Sequence, residues 1–559
     1  MSRVRLMALG GLDEDGKNLY VIEIEEDIFV VEAGLKYPSA SEQLGVEYII
    51  PDFAYLVENK KRVKGIFISH GHDDVMMALP HILSVIDADV YCTALTARIV
   101  SEKLEKHGIR NKRLNIIKRK DKLTIAGHNI YTFPVMMSIF DGMGIAFESD
   151  DGLIIYTSEF IIDSKSFNEA LSMDINVISE FGKKDVLALL SESVGASRQG
   201  YTSPHHYISP KIETYFEDSK SRIFMTLYKQ NLFRVIEVLE LAKKYNRSIF
   251  FYDENDISIL KMLEDLGYYK LSNNIISKKD FNNEMDNVLC IVSGSGNEVF
   301  RLFNKVAVGE DSILSLREDD TVIIASPTVP GTEKEASQME NDLYKAGVKV
   351  VKTNSKDLYS MHSSIEDLKM MLYLTKPKFY LPVKGEYSSL IANAEIATEM
   401  GYTPNRIVIL DNGQFATFEN GKLVSTRDTL DLKDTLIDMS DKTDVSGMVL
   451  KDREILSTDG AIVVGVVLDF KTKEVIGGPD VQSRGVIYLK DADYILAEIG
   501  NILVNAINEA VAAGRYENML IRKEAKDLMT RYVLKETGKH PMILPAIIEI
   551  NCEANDEWF

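Results

Sequence analysis

Two histidines one residue apart, His70 and His72, are followed two positions later by Asp74, and all three stand where an apolar run stops. Ile66-Phe67-Ile68 gives way to Ser69-His70-Gly71-His72-Asp73-Asp74, and the pattern then becomes helix-like. Imidazole nitrogens and a carboxylate at this spacing can converge on one divalent cation. The end of a strand is where an α/β sandwich displays such groups, because the strand fixes them while the loop leaves them accessible. Surface His-x-His pairs also arise by chance, so the motif takes its weight from the rest of the chain.

The elements that must position this loop can be read on either side of it. Leu9 to Asn18 is a glycine-punctuated loop, followed by strand-like runs at 19–24 and 28–34, the second carrying Glu32. Residues 73–88 read as one helix, with Asp73 or Asp74 as its cap, Leu79, Ile82, Leu83 and Ile86 on its inner face, and Pro80 near its start or at a break. His81 has no partner in view and reads as surface. Alternating strands continue to 157, with a helix at 94–107. The basic residues Lys112, Arg113, Lys118, Arg119, Lys120 and Lys122 read as a solvated edge more readily than as an RNA contact.

Residues 211–345 alternate strands and helices without any metal-type cluster, the pattern of an inserted α/β domain. Strand runs at 223–227, 288–292 and 322–325 and a helix at Leu232–Lys244 are its clearest elements. Its Gly294-Ser295-Gly296 loop can approach a phosphate, although tight turns need glycine anyway. Residues 441–460 are polar and turn-rich, as a linker is. The remainder reads as a separate α+β domain, with strands at 461–467, 486–489 and 542–550 and helices near 491–513 and 516–536.

Composition sets outer bounds. A chain of 559 residues is too long for one core, and about three or four domains is the expectation. Hydrophobic residues make up 45% and charged residues 27%, as in soluble globular proteins. No apolar run reaches the length of a membrane span, and residues 1–5 lead into a strand rather than a signal peptide. Cys92, Cys290 and Cys552 have no metal-type spacing, which fits a reducing cytoplasm. With a net charge of −21, any nucleic-acid path has to be a local basic strip on an acidic body.

The N-terminal third resembles the metallo-β-lactamase fold in its nucleic-acid-processing branch, and most closely the ribonuclease J family. That family reads His-x-His-x-Asp-His at the loop; here His70, His72 and Asp74 are present and Val75 replaces the last histidine. An aspartate that usually supports the site from behind is Glu32, and a bridging aspartate is Glu159. A histidine before the Ser-Ile pair is Met137, and the histidine of Pro-Val-His-Gly-Glu-Tyr is Lys384. The segment Leu358 to Ser364 resembles a His-Val-Ser-Gly-His-Gly-Ser loop that grips the 5′ phosphate; Ser360, His362 and Ser364 match, whereas the central glycine is Met361. Gly477 to Tyr488 resembles the family's C-terminal domain, so the likeness runs over nearly the whole chain.

The resemblance implies an αββα metallo-β-lactamase sandwich with an inserted β-CASP α/β domain and a C-terminal α+β domain. The expected boundaries are 1–210 and 351–440 for the sandwich, 211–350 for the insertion, 441–460 for a linker and 461–559 for an association domain. It also implies two ions, zinc, manganese or magnesium. The first would be held by His70, His72, position 137 and the acid at 159, the second by Asp74, positions 75 and 384, and the same acid.

Valine has no donor atom, a thioether is a soft ligand, and lysine is protonated below a pKa of about 10.4. An ammonium roughly 4 Å from a cation opposes it by about 4 kcal/mol per unit of metal charge at an effective dielectric near 20. The expectation is no metal or one weakly held ion, a catalytic remnant of His72 and Asp74, and Lys384 paired with Asp74, Glu159 or both.

The family activity implied is 5′→3′ exoribonuclease with some endonuclease action, in mRNA decay and rRNA maturation. This chain is expected to be a weak or inactive subunit that binds RNA and scaffolds an active paralogue, like the degenerate second paralogue some bacteria carry. A weak one-metal exoribonuclease is the alternative, and a small-molecule hydrolase is disfavoured by the insertion and the phosphate loop. The C-terminal domain's β-branched strands and its helix face Ile495, Ile499, Ile502, Leu503 and Ile507 are expected to support dimer or hetero-oligomer formation. No membrane partner and a cytoplasmic setting complete the expectation.

Overall fold

The computed structural model describes residues 2–38, 45–110, 113–165, 168–328, 331–353, 358–438, 447–486 and 492–551. They fall into two compact units, Met1–Ala40 with Tyr48–Thr435, and Ser41–Glu47 with Leu436–Phe559.

The first unit is a sandwich of two sheets. One has eight strands, in the order Lys422–Ser425, Phe415–Glu419, Arg3–Gly10, Leu19–Ile24, Asp27–Val31, Val63–Phe67, Val90–Cys92 and Leu114–Ile116. The other has six, in the order Phe379–Val383, Val186–Glu192, Gly152–Tyr156, Met143–Ser149, His128–Pro134 and Lys122–Ile125. Alternate residues of both sheets meet between them: Leu6, Tyr20, Ile22, Phe29 and Phe67 pack against Ile145, Phe147, Ile154, Tyr156 and Leu381. Each such side chain contributes about 1.5–3 kcal/mol on full burial. The second sheet's other face, with Phe133, Ile155, Leu189 and Tyr380, is covered by helices that bring Ile178, Leu368, Met371 and Ile396 onto it.

Within this frame Val63–Phe67 pairs in parallel with Asp27–Val31 and with Val90–Cys92, so its C-terminal end opens at a sheet rim. The helix expected over 73–88 is two short ones, Asp73–Met76 and Leu79–Val85. Pro80 lies in the first turn of the second, where its missing N–H costs nothing but where it ends the preceding ladder. The N-cap of the first is His72, with Asp73 and Asp74 in the first turn rather than capping. His81 is not a lone surface residue: its Nε2 lies 3.0 Å from the Tyr48 hydroxyl.

The insertion is a six-stranded sheet, parallel throughout, in the order Ile275–Ile276, Ser248–Phe251, Val288–Gly294, Ile223–Tyr228, Thr321–Ile324 and Lys349–Lys352. Its near-continuous apolar strands are those of a sheet covered on both faces. The helix Leu232–Lys244 follows the first of them.

The second unit carries a three-stranded sheet of Val475–Arg484, Ala461–Asp469 and Met542–Ile550, packed on the helices Ala492–Ala512 and Asn518–Thr537. Three expectations change here. A strand that the sequence reading does not offer, Val475–Arg484, is disguised there by Gly477-Gly478-Pro479; of the strand expected at 486–489, Val486 lies beyond it and 487–489 lie outside the described residues. The linker 441–460 contains a helix, Gly447–Thr458.

The third concerns association. Ile495, Ile499, Leu503 and Ile507 are buried against the sheet. Exposed apolar side chains lie on the strands, at Val463, Leu544, Ile548 and Ile550, and on the helices, at Tyr494, Met519, Leu520, Leu528 and Leu534. Asp493–Ala512 also has the length and mean hydropathy, 1.3, of a membrane span, contrary to the sequence reading; its apolar stripe covers this sheet.

Candidate metal centre and phosphate loop

Backbone pairing fixes the histidine loop before any side chain does. Asn18 N donates to Asp74 O at 3.1 Å, Ala33 N to Val75 O at 2.7 Å and Leu35 N to Asp73 O at 3.1 Å. Gly34 permits this approach, since a Cβ there would lie 1.5 Å from the Asp74 carbonyl oxygen. Behind the loop, fully buried Glu32 accepts from Ser69 N at 3.1 Å. Burial pushes the Glu32 carboxyl up to about 8, despite the bonds from Ser69.

His70, His72, Asp74 and Glu159 offer donor atoms that all lie within 4.8 Å of one another. His70 is buried, its Nδ1 2.7 Å from Ser69 Oγ, which itself meets Ser158 Oγ at 2.7 Å. Its Nε2 lies 3.1 Å from His72 Nδ1, and both of these nitrogens stand 3.8 Å from Glu159. Burial, and His72 beside it, drive the His70 imidazole down to about 3, so it is neutral. His72 Nε2 turns towards Ser138 Oγ and Gln230 O, both at 3.3 Å.

Lys384 completes the cluster. It follows the strand Phe379–Val383, with φ at 56° and Gly385 at 128° beyond it, a turn that aims its side chain inward. Its ammonium donates to Asp74 Oδ2 at 2.7 Å and to Glu159 Oε1, and Asn18 Nδ2 donates to the same Asp74 oxygen at 3.0 Å. Burial opposes all three charges, and their mutual attraction outweighs it. Lys384 is held well above its ordinary value, and Asp74 and Glu159 below theirs. Val75 and Met137 are wholly buried, apolar where donors would be needed.

The metallo-β-lactamase family implies a divalent ion, and the four donors are a site for one. A second ion does not fit, because both carboxylates that would bind it already hold an ammonium. His70, His72 and Glu159, whose carboxylate is shared with the Lys384 ammonium, remain as the donors of a first.

The phosphate loop is divided. Leu358 and Met361 are core residues, each 2% exposed. Ser364 departs from the donor role expected of it: it is buried, meets Thr202 Oγ1 at 2.7 Å, and with Asp367 forms the capping box of the helix Ile365–Thr375. Ser360 is exposed but pinned by Arg198, whose guanidinium donates to its carbonyl at 2.9 Å, its hydroxyl at 3.1 Å and the His362 carbonyl at 2.8 Å. His362 Nδ1 lies 2.7 Å from Glu192. Burial opposes its charge, but Glu159 and Glu192 more than offset this and raise it above its ordinary value. Lys384 thus faces Asp74 and Glu159, and His362 faces Glu159 and Glu192.

Sequence reasoning missed Asn18, Glu192 and Arg198. An acid closing the otherwise apolar strand Val186–Glu192 is the one local signal that could have found Glu192. Of the basic stretch, Arg119 donates to the Ser172 and Glu169 carbonyls and Lys120 pairs with Asp174 at 2.6 Å; Lys112 lies outside the described residues. At the Gly-Ser-Gly loop, Glu298 takes the Ser295 N–H at 3.0 Å and Lys229 at 3.3 Å, filling the place an anion would take.

Family models match three stretches: "Metallo-beta-lactamase superfamily" over 12–131, "Ribonuclease J, beta-CASP domain" over 220–343 and "Ribonuclease J C-terminal domain" over 448–550. The chain is 34% identical over 551 residues to Ribonuclease J2 of Bacillus subtilis (strain 168), covering 98% of this chain and 99% of that one. It is 31% identical over 553 residues to Ribonuclease J 2 of Staphylococcus epidermidis, covering 98% of each. Among solved structures, a protein of unknown function from Enterococcus faecalis V583 matches with TM-score 0.51 at 12% identity, over 74% of this chain and 100% of that one, a likeness of fold.

Proposed function

The chain belongs to the ribonuclease J family, and from that premise we propose that it is an RNA-binding subunit of an RNA-processing and decay complex, weak or inactive as a nuclease. Its main role in this reading is to scaffold an active paralogue. The observation that carries the reading is Lys384, whose ammonium bonds both Asp74 and Glu159. Two-metal hydrolysis needs one ion to generate hydroxide and a second to clamp the phosphate or its leaving oxygen. With the second position filled by a lysine, the clamp is missing.

What this chain's own residues supply is binding. His362, backed by Glu192 and held above its ordinary pKa, is the donor of the loop, and Arg198 holds its carbonyl and that of Ser360 in place. Affinity for a 5′-phosphorylated strand should therefore fall with salt. The exposed strand residues Val463, Leu544, Ile548 and Ile550 support an association surface for a homodimer or a paralogue. A cytoplasmic setting is supported by buried, unpaired Cys92 and Cys290.

The deciding experiment assays this chain, its paralogue and their mixture on 5′-monophosphorylated RNA, with metal analysis of each. Stimulation of the paralogue by a nearly silent chain supports the reading. Manganese-dependent turnover by the lone chain would replace it with the second reading, a one-metal exoribonuclease, which His70, His72 and Glu159 favour.

A further inference from the structure

Apart from the histidine cluster, the first unit encloses a cavity of about 630 Å³, walled by Phe140, Tyr207, Leu241, Tyr268 and Tyr269, with Glu240 at its mouth. Its size lies within the range of about 300–1,000 Å³ in which small ligands bind. The walls are aromatic, and their hydroxyls are engaged by carboxylates. The Tyr207 hydroxyl donates to Asp163 at 2.8 Å, that of Tyr268 to Asp141 at 2.9 Å and that of Tyr269 to Glu240 at 2.9 Å. These bonds lock the rings, so what each offers the cavity is a π surface. Phe140 and Tyr268 are nearly parallel, at 8°, with centroids 6.2 Å apart.

The charges narrow the ligand further. Glu237 is saturated by Ile208 N at 3.1 Å, Ser209 N at 2.8 Å and the Ser209 hydroxyl, and Glu213 is engaged by Lys244 and Tyr245. Glu240 takes the Tyr269 hydroxyl, pairs loosely with Lys243 at 3.9 Å, has half its side chain exposed, and keeps acceptor capacity at the mouth. Three carboxylates face Lys244 and Lys270, with no arginine, so the lining repels a phosphate. Aromatic faces with a spare acceptor and no surplus cation suit a flat, uncharged heterocycle that carries an amine.

We propose that this cavity binds an amino-bearing nucleobase, stacked on its tyrosines with the amine donated to Glu240. The base comes either from a free nucleoside or from a strand held by the protein. The proposal makes no use of Lys384 or the metal question, so either can fail alone.

The test titrates the full-length chain with adenosine, uridine, adenosine monophosphate and octaadenylate, by calorimetry and ligand-observed NMR. Adenosine should bind saturably and at least about tenfold more tightly than uridine, which lacks the amine, with the monophosphate weaker than the nucleoside. Glu240→Arg changes a half-exposed side chain and should weaken adenosine by about tenfold or more, on the scale of one lost stacking or amine contact. Leu241→Trp, which fills the cavity, should do the same, and a retained melting temperature shows that each variant is folded. If Glu240→Arg also weakens octaadenylate, the base belongs to a strand; if octaadenylate is unaffected, the ligand is the nucleoside. Adenosine that fails to saturate by about 1 mM, or that binds the folded variants as tightly as the native chain, overturns the proposal.

Discussion

The two halves of the groove have diverged in opposite ways. At the histidine cluster the residue types have changed, yet the arrangement of charge persists: Lys384 stands between Asp74 and Glu159 as a cation would. At the phosphate loop Ser360, His362 and Ser364 keep the residue type, yet their bonds run inward. Ser364 caps a helix, Ser360 is pinned by Arg198, and His362 bonds Glu192. A substituted position can thus preserve the electrostatics of a site, while a matching residue can have become structural.

The sharpest way to break this comparison is Lys384→Met. It leaves two largely buried carboxylates without a partner and should cost about 3–5 kcal/mol of stability in metal-free buffer, read by denaturant unfolding. An unchanged midpoint would mean that the charge arrangement is incidental.

Next in size is Glu32, whose carboxyl stays protonated up to about 8 in the folded chain, against about 4.3 unfolded. Between those values unfolding releases a proton, so Glu32 lowers stability as pH rises. Glu32→Gln keeps an acceptor for the Ser69 N–H and cannot ionise. Its stability relative to native should therefore improve from pH ~5 to pH ~8 by on the order of a few kcal/mol. A gap that is flat with pH would show that Glu32 ionises normally.

Rebuilding the family's donors with Val75→His, Met137→His, Glu159→Asp and Lys384→His should exchange one cation for another. Manganese at about a hundred times its Kd should then stabilise the variant by about 2.7 kcal/mol and leave the native chain almost unmoved, by thermal melting. Equal shifts in both proteins would place a competent ion site in the native chain.

The smallest effects separate the phosphate-loop serines. Ser364→Ala should cost about 1 kcal/mol as a lost cap, with Ser360→Ala within about 0.5 kcal/mol as an exposed position. Reversed magnitudes would return Ser364 to the groove.

What the sequence revealed and what it hid follow from distance along the chain. The histidine loop was legible because its donors lie within five residues and end an apolar strand. Lys384 was legible because an ammonium among acids has one plain electrostatic outcome. Asn18, Glu192 and Arg198 reach their partners only through the fold, across 56, 170 and 162 residues. Local pattern also failed where one residue overrode periodicity, at Pro80 in the split helix and at Gly477-Gly478-Pro479 inside a strand. The apolar stripe of the C-terminal helix was legible, but its packing on the domain's own sheet was not, because periodicity gives a stripe and not what it covers.

Lys384 also changes the molecularity of site formation. A centre built on ions is assembled by an encounter, so its completion depends on what the surroundings can deliver and is undone by whatever competes for the ion. A cation carried on the chain arrives with the fold itself, through a unimolecular step that neither scarcity nor a chelator can touch. The triad of Lys384, Asp74 and Glu159 should accordingly hold the same shape in a metal-starved cell as in a replete one.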